Sequence, residues 1–505
     1  MKRSPARLKL NYLGINTSKE AVIYMREDCH ICRSEGFVAE TRVQVTLNNR
    51  SIIAIIHTIE VASNLLKSCE ASLSRYAWDI LGAKVGDEIA ISHPKPLDSL
   101  SYIRSKLYGN ELKTLEINQI IDDVVKGQLS DIHLTMFLSG TAGNRLNKKE
   151  TLDLTRAMVQ TGECLQWPTQ LIIDKHCVGG LPGNRTTLII VPIVTAFGLM
   201  MPKTSSRAIT SPAGTADTME VFAPVNLDRK SMQKVVEQEN GCITWGGTVS
   251  LSPADDLLIR IERSMGLDSE GQMVASILSK KIAAGSTHIV IDIPIGPTAK
   301  VRSNEQAELL KNYLVNIAEE FSIHLSVVFT DGTQPVGRGI GPALEARDVW
   351  SVLSCDKAAP QDLKERALTL AGHLLEFSPN VAKGSGKKIA ESLLNNGQAL
   401  RKFQAICHAQ GGLFDIPTAP YTKTIVSTIK GKVTSIDNRL LAQLAKLAGA
   451  PKSKSAGVEL LTPLNTCVDQ GQPLFIVHAE TKGELAYALT FHQQRHSIVH
   501  IEEAI

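Results

Sequence analysis

Asp174-Lys175-His176-Cys177-Val178-Gly179-Gly180-Leu181-Pro182-Gly183-Asn184-Arg185-Thr186-Thr187 joins an apolar strand ending at Ile173 to an apolar helix expected over 187–197. Gly179, Gly180 and Gly183 allow close backbone approach, Lys175 supplies a point charge, and Thr186 and Thr187 supply hydroxyls. The helix start adds free amides and a dipole that favours an anion. Alone, this loop is weak evidence and reads more readily as a tight turn whose glycines satisfy positive φ. A second stretch, Ser205-Ser206-Arg207-Ala208-Ile209-Thr210-Ser211-Pro212-Ala213-Gly214-Thr215-Ala216-Asp217, follows the next strand and carries five hydroxyls and an arginine before Ala216. Two such loops after neighbouring strands converge at the carboxyl edge of an α/β sheet, where ligands bind. The chemistry is that of an inorganic phosphate site, with phosphate as a substrate. Nucleotide fingerprints are absent: Gly179-Gly180-x-x-Gly183 does not match G-x-G-x-x-G, and Gly384-Ser385-Gly386-Lys387-Lys388 lacks both the upstream glycine and the terminal Ser/Thr of a P-loop.

Working outward, strands are expected at 170–173 and 200–203 and a helix at 217–222, and strands at 288–292 and 325–329 bracket a helix at 304–323. A helical stretch over 253–284 interrupts this alternation. Helices are also expected at 97–108, 112–126, 130–139 and 147–160, and the two helical stretches form one α lobe. Before them, short β-rich segments at 8–13, 21–25, 41–47, 51–59 and 88–92 form a separate module that ends at Ser92-His93-Pro94-Lys95-Pro96. From about Tyr421 the chain returns to β character. The predicted organisation is a multidomain α/β protein: an N-terminal β-rich domain (1–95), an all-α lobe (96–166 and 252–285), an α/β phosphate-binding lobe with a central mixed sheet (167–251 and 286–415), and a C-terminal α+β domain (416–505).

A chain of 505 residues needs several cores. Its net charge of +3 leaves no footprint for nucleic acid or an anionic membrane, so any anion is held by local cations. The first sixteen residues lack the apolar core of a signal peptide, and the nine cysteines are scattered, which fits a reduced, cytoplasmic protein. Cys29-His30-Ile31-Cys32 looks like half a zinc site, but no second pair follows at suitable spacing, and no metal is expected.

Asp174-Lys175-His176-x-x-Gly179-Gly180, Ser-x-Arg followed by Gly214-Thr215-x-Asp217, and Ala275-Ser276-Ile277-Leu278-Ser279-Lys280-Lys281 together resemble the thymidine/pyrimidine-nucleoside phosphorylase family. The variants at 180–187 and 203–211, and an N-terminal module of this size, resemble its AMP phosphorylase branch more closely. The resemblance implies two lobes closing over a cleft and reversible phosphorolysis, in which phosphate attacks C1′ and releases a free base. No cofactor is implied, since inorganic phosphate is the co-substrate, and a homodimer or higher homo-oligomer is expected.

By this similarity Lys175, Thr187, Ser205 and Thr215 hold the phosphate nucleophile. Cys177 departs from the serine usual at its position. Gly180, Ser206, Arg207, Ala208, Ile209, Thr210, Ser211, Thr215, Ser276 and Lys300 contact the nucleotide, and Asp268 protonates the leaving base. His176 and Lys280 contact the base. Read without the resemblance, Asp268 is a helix N-cap and Ser276 with Lys280 a solvated face. The leading expectation is phosphorolysis of an AMP-like nucleoside 5′-monophosphate to base and ribose 1,5-bisphosphate, with Arg207, Lys300 and the Thr210-Ser211 hydroxyls as a second anion subsite. The alternative is a thymidine phosphorylase, giving thymine and 2-deoxyribose 1-phosphate. A phosphoribosyltransferase normally shows acidic residues beside the glycine loop, where this chain has Asn184 and Arg185, and a non-catalytic nucleotide-binding protein would have decayed site residues.

Overall fold

The computed structural model describes residues 7–208, 211–266, 269–495 and 498–503. The backbone packs as two compact units, Met1–Gly140 and Thr141–Ile505.

The first unit begins with strands β1 (Arg7–Leu10) and β2 (Val22–Arg26), helix α1 (His30–Glu35), β3 (Arg42–Leu47), β4 (Arg50–Ile59), β5 (Glu70–Leu73), helix α2 (Arg75–Leu81) and β6 (Glu88–Ser92). The strands close into a barrel in the order β1-β5-β2-β4-β3-β6, which leaves no edge unpaired. Alternate residues such as Val43, Val45 and Leu47 turn inward to pack with Leu8, Ile23, Ile56 and Ile89. Both helices end on left-handed glycines, Gly36 and Gly82. The sequence reading missed α1, α2 and the four-residue β5, each too short to show a period. Cys29 and Cys32 lie at the N-cap and in the first turn of α1 and are buried in the barrel core. Helices α3 (Ser99–Leu107), α4 (Thr114–Val125) and α5 (Asp131–Thr141) follow as expected. In α4, Ile117, Ile120, Ile121 and Val124 fall on one buried face at helical spacing.

In the second unit, α6 (Lys148–Gln160) starts on an Asn147–Glu150 capping box. Then come β7 (Ile173–Cys177), α7 (Thr186–Ala196), β8 (Met201–Ser205), α8 (Thr215–Phe222), α9 (Arg229–Glu239), β9 (Gly241–Trp245), α10 (Pro253–Met265), α11 (Glu270–Ala283), β10 (His288–Ile295), α12 (Asn304–Glu319) and β11 (His324–Asp331). β11, β10 and β7 pair in parallel, as do β8 and β9, and an Ile172–Met200 bridge joins the two groups. The central sheet was expected to be mixed, and it is parallel in every described pair. The connections allow this, since each strand is followed by a helical crossover, the connection that parallel pairing requires. Helix α7 is buried on all sides from Thr186 to Thr195, which explains its continuous apolar run. Its cover is supplied by α14 (Gln361–Leu375), α15 (Gly386–Asn395) and α16 (Gln398–Gln410), which pack with it in one core after the short strand β12 (Gly339–Ile340) and helix α13 (Pro342–Leu353).

The last segment holds β13 (Tyr421–Val426), β14 (Gly431–Ile436), α17 (Asn438–Leu447), β15 (Gly457–Leu460), β16 (Cys467–Val468), β17 (Pro473–Ala479), α18 (Lys482–Gln494) and β18 (Val499–Glu503). Two sheets form, β12-β15-β17-β13 and β16-β14-β18, and the first borrows β12 from the preceding lobe. Among the described residues no helix is long and apolar enough to cross a membrane.

Candidate active site

Strand β7 alternates two sets of polar side chains across the sheet. On one face Lys175, fully buried, donates from Nζ to Thr186 Oγ1 at 2.9 Å and lies 3.6 Å from Asp292 Oδ2. Asp292 also accepts from Asn184 Nδ2 at 3.2 Å and Thr330 Oγ1 at 2.6 Å. Cys177 accepts from Asn184 Nδ2 at 3.3 Å, and burial beside the Asp292 carboxylate pushes its thiol up to about 12. It therefore stays protonated and acts as a small neutral group.

On the other face Asp174, also buried, lies between two lysines: Lys203 Nζ is 3.3 Å from Oδ1 and Lys281 Nζ is 2.7 Å from Oδ2. Burial would raise this carboxyl, but the two ammonium groups hold it below its ordinary value. Burial and its proximity to Lys281 push Lys203 down to about 7, against the pull of Asp174. His176 shares this face and is driven well below 6.5 by burial and by Lys281, Lys280, Lys203 and Lys175. It is a neutral imidazole at pH 7.

The second loop leads into α8. The Ser205 hydroxyl is buried with no hydrogen-bond partner among the described residues, whereas the Ser211 hydroxyl turns back onto Ala213 O at 2.7 Å. Asp217 takes the backbone amides of Ala208 and Gly214 at 2.6 and 2.8 Å, folding the loop over the helix start. A Cβ on Gly214 would stand 2.5 Å from Arg207 C, so only glycine lets the strands of this loop meet. Arg185 joins the two loops: it pairs with buried Glu345, donates to Ala213 O, and reaches Thr215 Oγ1 at 3.4 Å. Thr187 is buried in the first turn of α7.

Arg207 does not face this cradle. Its guanidinium holds Glu220 through both nitrogens at 2.9 and 2.7 Å, Asp217 at 3.1 Å and Asn226 at 3.1 Å, and it lies over the Trp245 ring. Those carboxylates raise it further above its ordinary value. The subsite for a second anion, expected on Arg207, therefore has a guanidinium already neutralised by acids. Ser206 is exposed, Ala208 partly so. Gly180 and Lys300 do meet, because a Cβ at Gly180, with φ +83°, would be 2.5 Å from Lys300 N; the Lys300 side chain is exposed. On α11, Lys280 Nζ donates to Ser276 Oγ at 3.2 Å and pairs with Asp255 Oδ2 at 2.8 Å. Ile209, Thr210 and Asp268 lie outside the described residues.

Sequence reasoning missed the acids that organise these cations: Asp292, Glu345, Glu220 and Asp255. A signal existed for Asp292, a lone carboxylate inside the apolar strand His288–Ile295, where an unpaired charge is untenable. Glu345 and Glu220 sit in amphipathic helices where acids are ordinary.

Residues 169–400 match the glycosyl transferase family a/b domain, and residues 100–162 match the helical bundle domain of the same family. A Legionella pneumophila protein named "Putative thymidine phosphorylase" is 59% identical over 502 residues, covering 99% of this chain and 97% of that protein. An Acidovorax protein named "Putative thymidine phosphorylase 2" is 55% identical over 504 residues, covering 100% and 98%. The fold also resembles that of anthranilate phosphoribosyltransferase from Thermus thermophilus, with a TM-score of 0.50 at 16% identity over 61% of this chain and 98% of that one. Full-length identity at this level, together with the match of residues 100–162 and 169–400 to the two domains of one glycosyl transferase family, places the chain in the thymidine/pyrimidine-nucleoside phosphorylase family, as a pentosyltransferase enzyme.

Proposed function

We propose that the chain cleaves a pyrimidine nucleoside such as thymidine with inorganic phosphate, giving thymine and 2-deoxyribose 1-phosphate. The observation that carries this reading over the nucleotide one is the state of Arg207, whose guanidinium is committed to Glu220 and Asp217. A 5′-phosphate would have to displace two carboxylates to recruit it. The names of the full-length relatives support the same substrate class.

Phosphate is read into the cradle of Ser205, Thr215, Thr187 and the α7 and α8 amides, with Lys175 beneath it. Ser205 offers it a desolvated hydroxyl. As the C1′–N1 bond breaks, its electron pair stays with the base, and Lys280, Ser276 and neutral His176 stabilise that charge. Asp268 remains the proposed proton donor to the base. We also take the working enzyme to be a homodimer or larger homo-oligomer. The second reading, phosphorolysis of AMP or a similar nucleotide, retains one support in Lys300, whose backbone packs on Gly180 and whose side chain is exposed.

Incubation with phosphate and thymidine, uridine, AMP, CMP or UMP, followed by quantification of free base, tests the assignment. Thymine or uracil release is expected. Base release from AMP with none from thymidine would reverse the order of the two readings.

A further inference from the structure

The neighbouring lysines Lys280 and Lys281 leave α11 in different directions, and each ends on a different buried carboxylate. Lys281 goes to Asp174 on β7, whereas Lys280 goes to Asp255 in the first turn of α10. Asp255 is 1% exposed, while the Lys280 side chain is 29% exposed. The ammonium is thus pinned from behind and open in front. Its contact with Asp255 at 2.8 Å is off-axis for a hydrogen bond, while its contact with Ser276 Oγ, one turn back on the same face, meets hydrogen-bond geometry at 3.2 Å.

We infer that Asp255 is a positioning residue for catalysis, holding Lys280 and through it Ser276 in the one arrangement that meets negative charge on the leaving base. The inference rests on the phosphorolysis reading above. A buried carboxylate requires a partner cation, so a purely structural pair is the competing explanation. The two differ in what they do to the reaction. A lysine with a free four-carbon stem samples many rotamers, and its charge helps a transition state only if it is already in place when charge develops. Fixing the ammonium from behind removes that reorganisation while leaving its remaining hydrogens for the base. Asp174 cannot substitute, because both of its oxygens face Lys203 and Lys281.

The test uses the leaving base as the probe. Fluorine withdraws electron density, so 5-fluorouracil is a more acidic leaving group than thymine and needs less help. Asp255→Asn should lower kcat/KM on thymidine by about 10- to 100-fold, and by clearly less on 5-fluoro-2′-deoxyuridine. Asp255→Glu, which keeps the charge, should recover part of the loss, and it carries the same comparison if the Asn variant melts early. Equal losses on both substrates in a folded variant, or no loss, would overturn the proposal. Should the wild-type enzyme cleave AMP and no pyrimidine nucleoside, the substrate reading fails, and the same comparison is made with AMP against IMP, whose base is the more acidic. Release of no base from any of them overturns both.

Discussion

Ser205 and His176 show how far single side chains define the chemistry. A buried hydroxyl without a partner costs about 1–3 kcal/mol, and Ser205 carries one in the expected phosphate cradle. Ser205→Ala should therefore leave the melting temperature unchanged or raise it, while raising KM for phosphate about 5- to 30-fold, an effect of about 1–2 kcal/mol. A melting temperature that falls together with unchanged phosphate KM would make Ser205 structural. His176 is depressed well below 6.5 in the folded protein by burial and four lysines. The unfolded chain takes up that proton first, so this residue's stabilising contribution is present above pH 6.5 and is lost as pH falls below it. His176→Gln should flatten denaturation midpoints between pH 5 and pH 7 relative to wild type. In kinetics the same variant should lower kcat/KM at every pH without moving its acid limb, because the imidazole is already neutral there. Sequence could name both residues, since each lies in a quotable motif. It could not supply their states: the Ser205 hydroxyl is left without a partner by the packing around it, and the His176 imidazole is held neutral by burial and by cations that include Lys281 and Lys203, brought in from α11 and β8.

At the scale of elements, the loops are legible and their fastenings are not. Hydroxyls, glycines and the strand-to-helix order announced α7 and β8 within two residues, whereas β7 runs over Ile173–Cys177 and shares only Ile173 with the strand expected at 170–173, so Asp174, Lys175 and His176 lie in the strand and not in the loop. The second loop is clamped by α13, whose first-turn Glu345 pairs with Arg185, accepts from Thr218 Oγ1 at 2.9 Å and from Gly341 N at 3.3 Å. Burial raises this carboxyl, and Arg185 opposes the rise. A helix-start glutamate looks like an ordinary first-turn acid, so nothing in the sequence marked it as the partner of a loop arginine 160 residues away. β5 and β9 escaped for a related reason, since strands of four and five largely buried residues lack the alternation that exposes a period, whereas α14 to α16 carry a regular buried face that the reading passed over. Glu345→Ala strands a buried guanidinium and should cost about 3–5 kcal/mol in urea unfolding. It should also weaken phosphate, because Arg185 spans both loops. Phosphate affinity untouched in a destabilised Glu345→Ala would separate the clamp from the site.

At the scale of the second unit, the C-terminal segment is tied into the lobe at several points. β12, two residues before α13, forms its ladder with β15, pairing Gly339 with Glu459 and Ile340 with Val458. Ala343 N, inside α13, donates to Lys454 O at 3.0 Å, and Leu460 N to Arg338 O at 2.8 Å. A Cβ on Gly341 would meet Ala456 O at 2.4 Å, so the two backbones pack without room for a side chain. Further along, Asn438 Nδ2 donates to Thr298 Oγ1 at 3.0 Å and Gly332 O at 3.1 Å, and Arg439 Nε to Thr298 O at 3.2 Å. The segment fastened there runs directly into Lys300, which packs on Gly180. A chain of contacts therefore connects the C-terminal sheet with the clamp on Arg185 and with the turn beside the glycine loop.

A C-terminal domain that served only as an appendage could be loosened without kinetic effect, and the contacts of β15 and Asn438 with the lobe predict otherwise. Asn438→Ala removes an amide that holds two acceptors, one a buried backbone carbonyl region near Gly332, and should destabilise the protein by about 1–3 kcal/mol. Because Thr298 precedes Lys300 by two residues, loss of that anchor loosens the backbone packed on Gly180, and kcat/KM should drop about 3- to 10-fold. KM for phosphate should stay near the wild-type value, since Glu345, Arg185 and Ser205 are untouched by the change. Lys300→Ala provides the control: it keeps the turn and removes only the charge, so under the nucleoside reading its kcat/KM on thymidine stays close to wild type. Asn438→Ala with unaltered kinetics but the expected loss of stability would confine the C-terminal segment to a scaffold role. A parallel rise in phosphate KM would instead mean that the disturbance reaches the Arg185 clamp through β12 and α13.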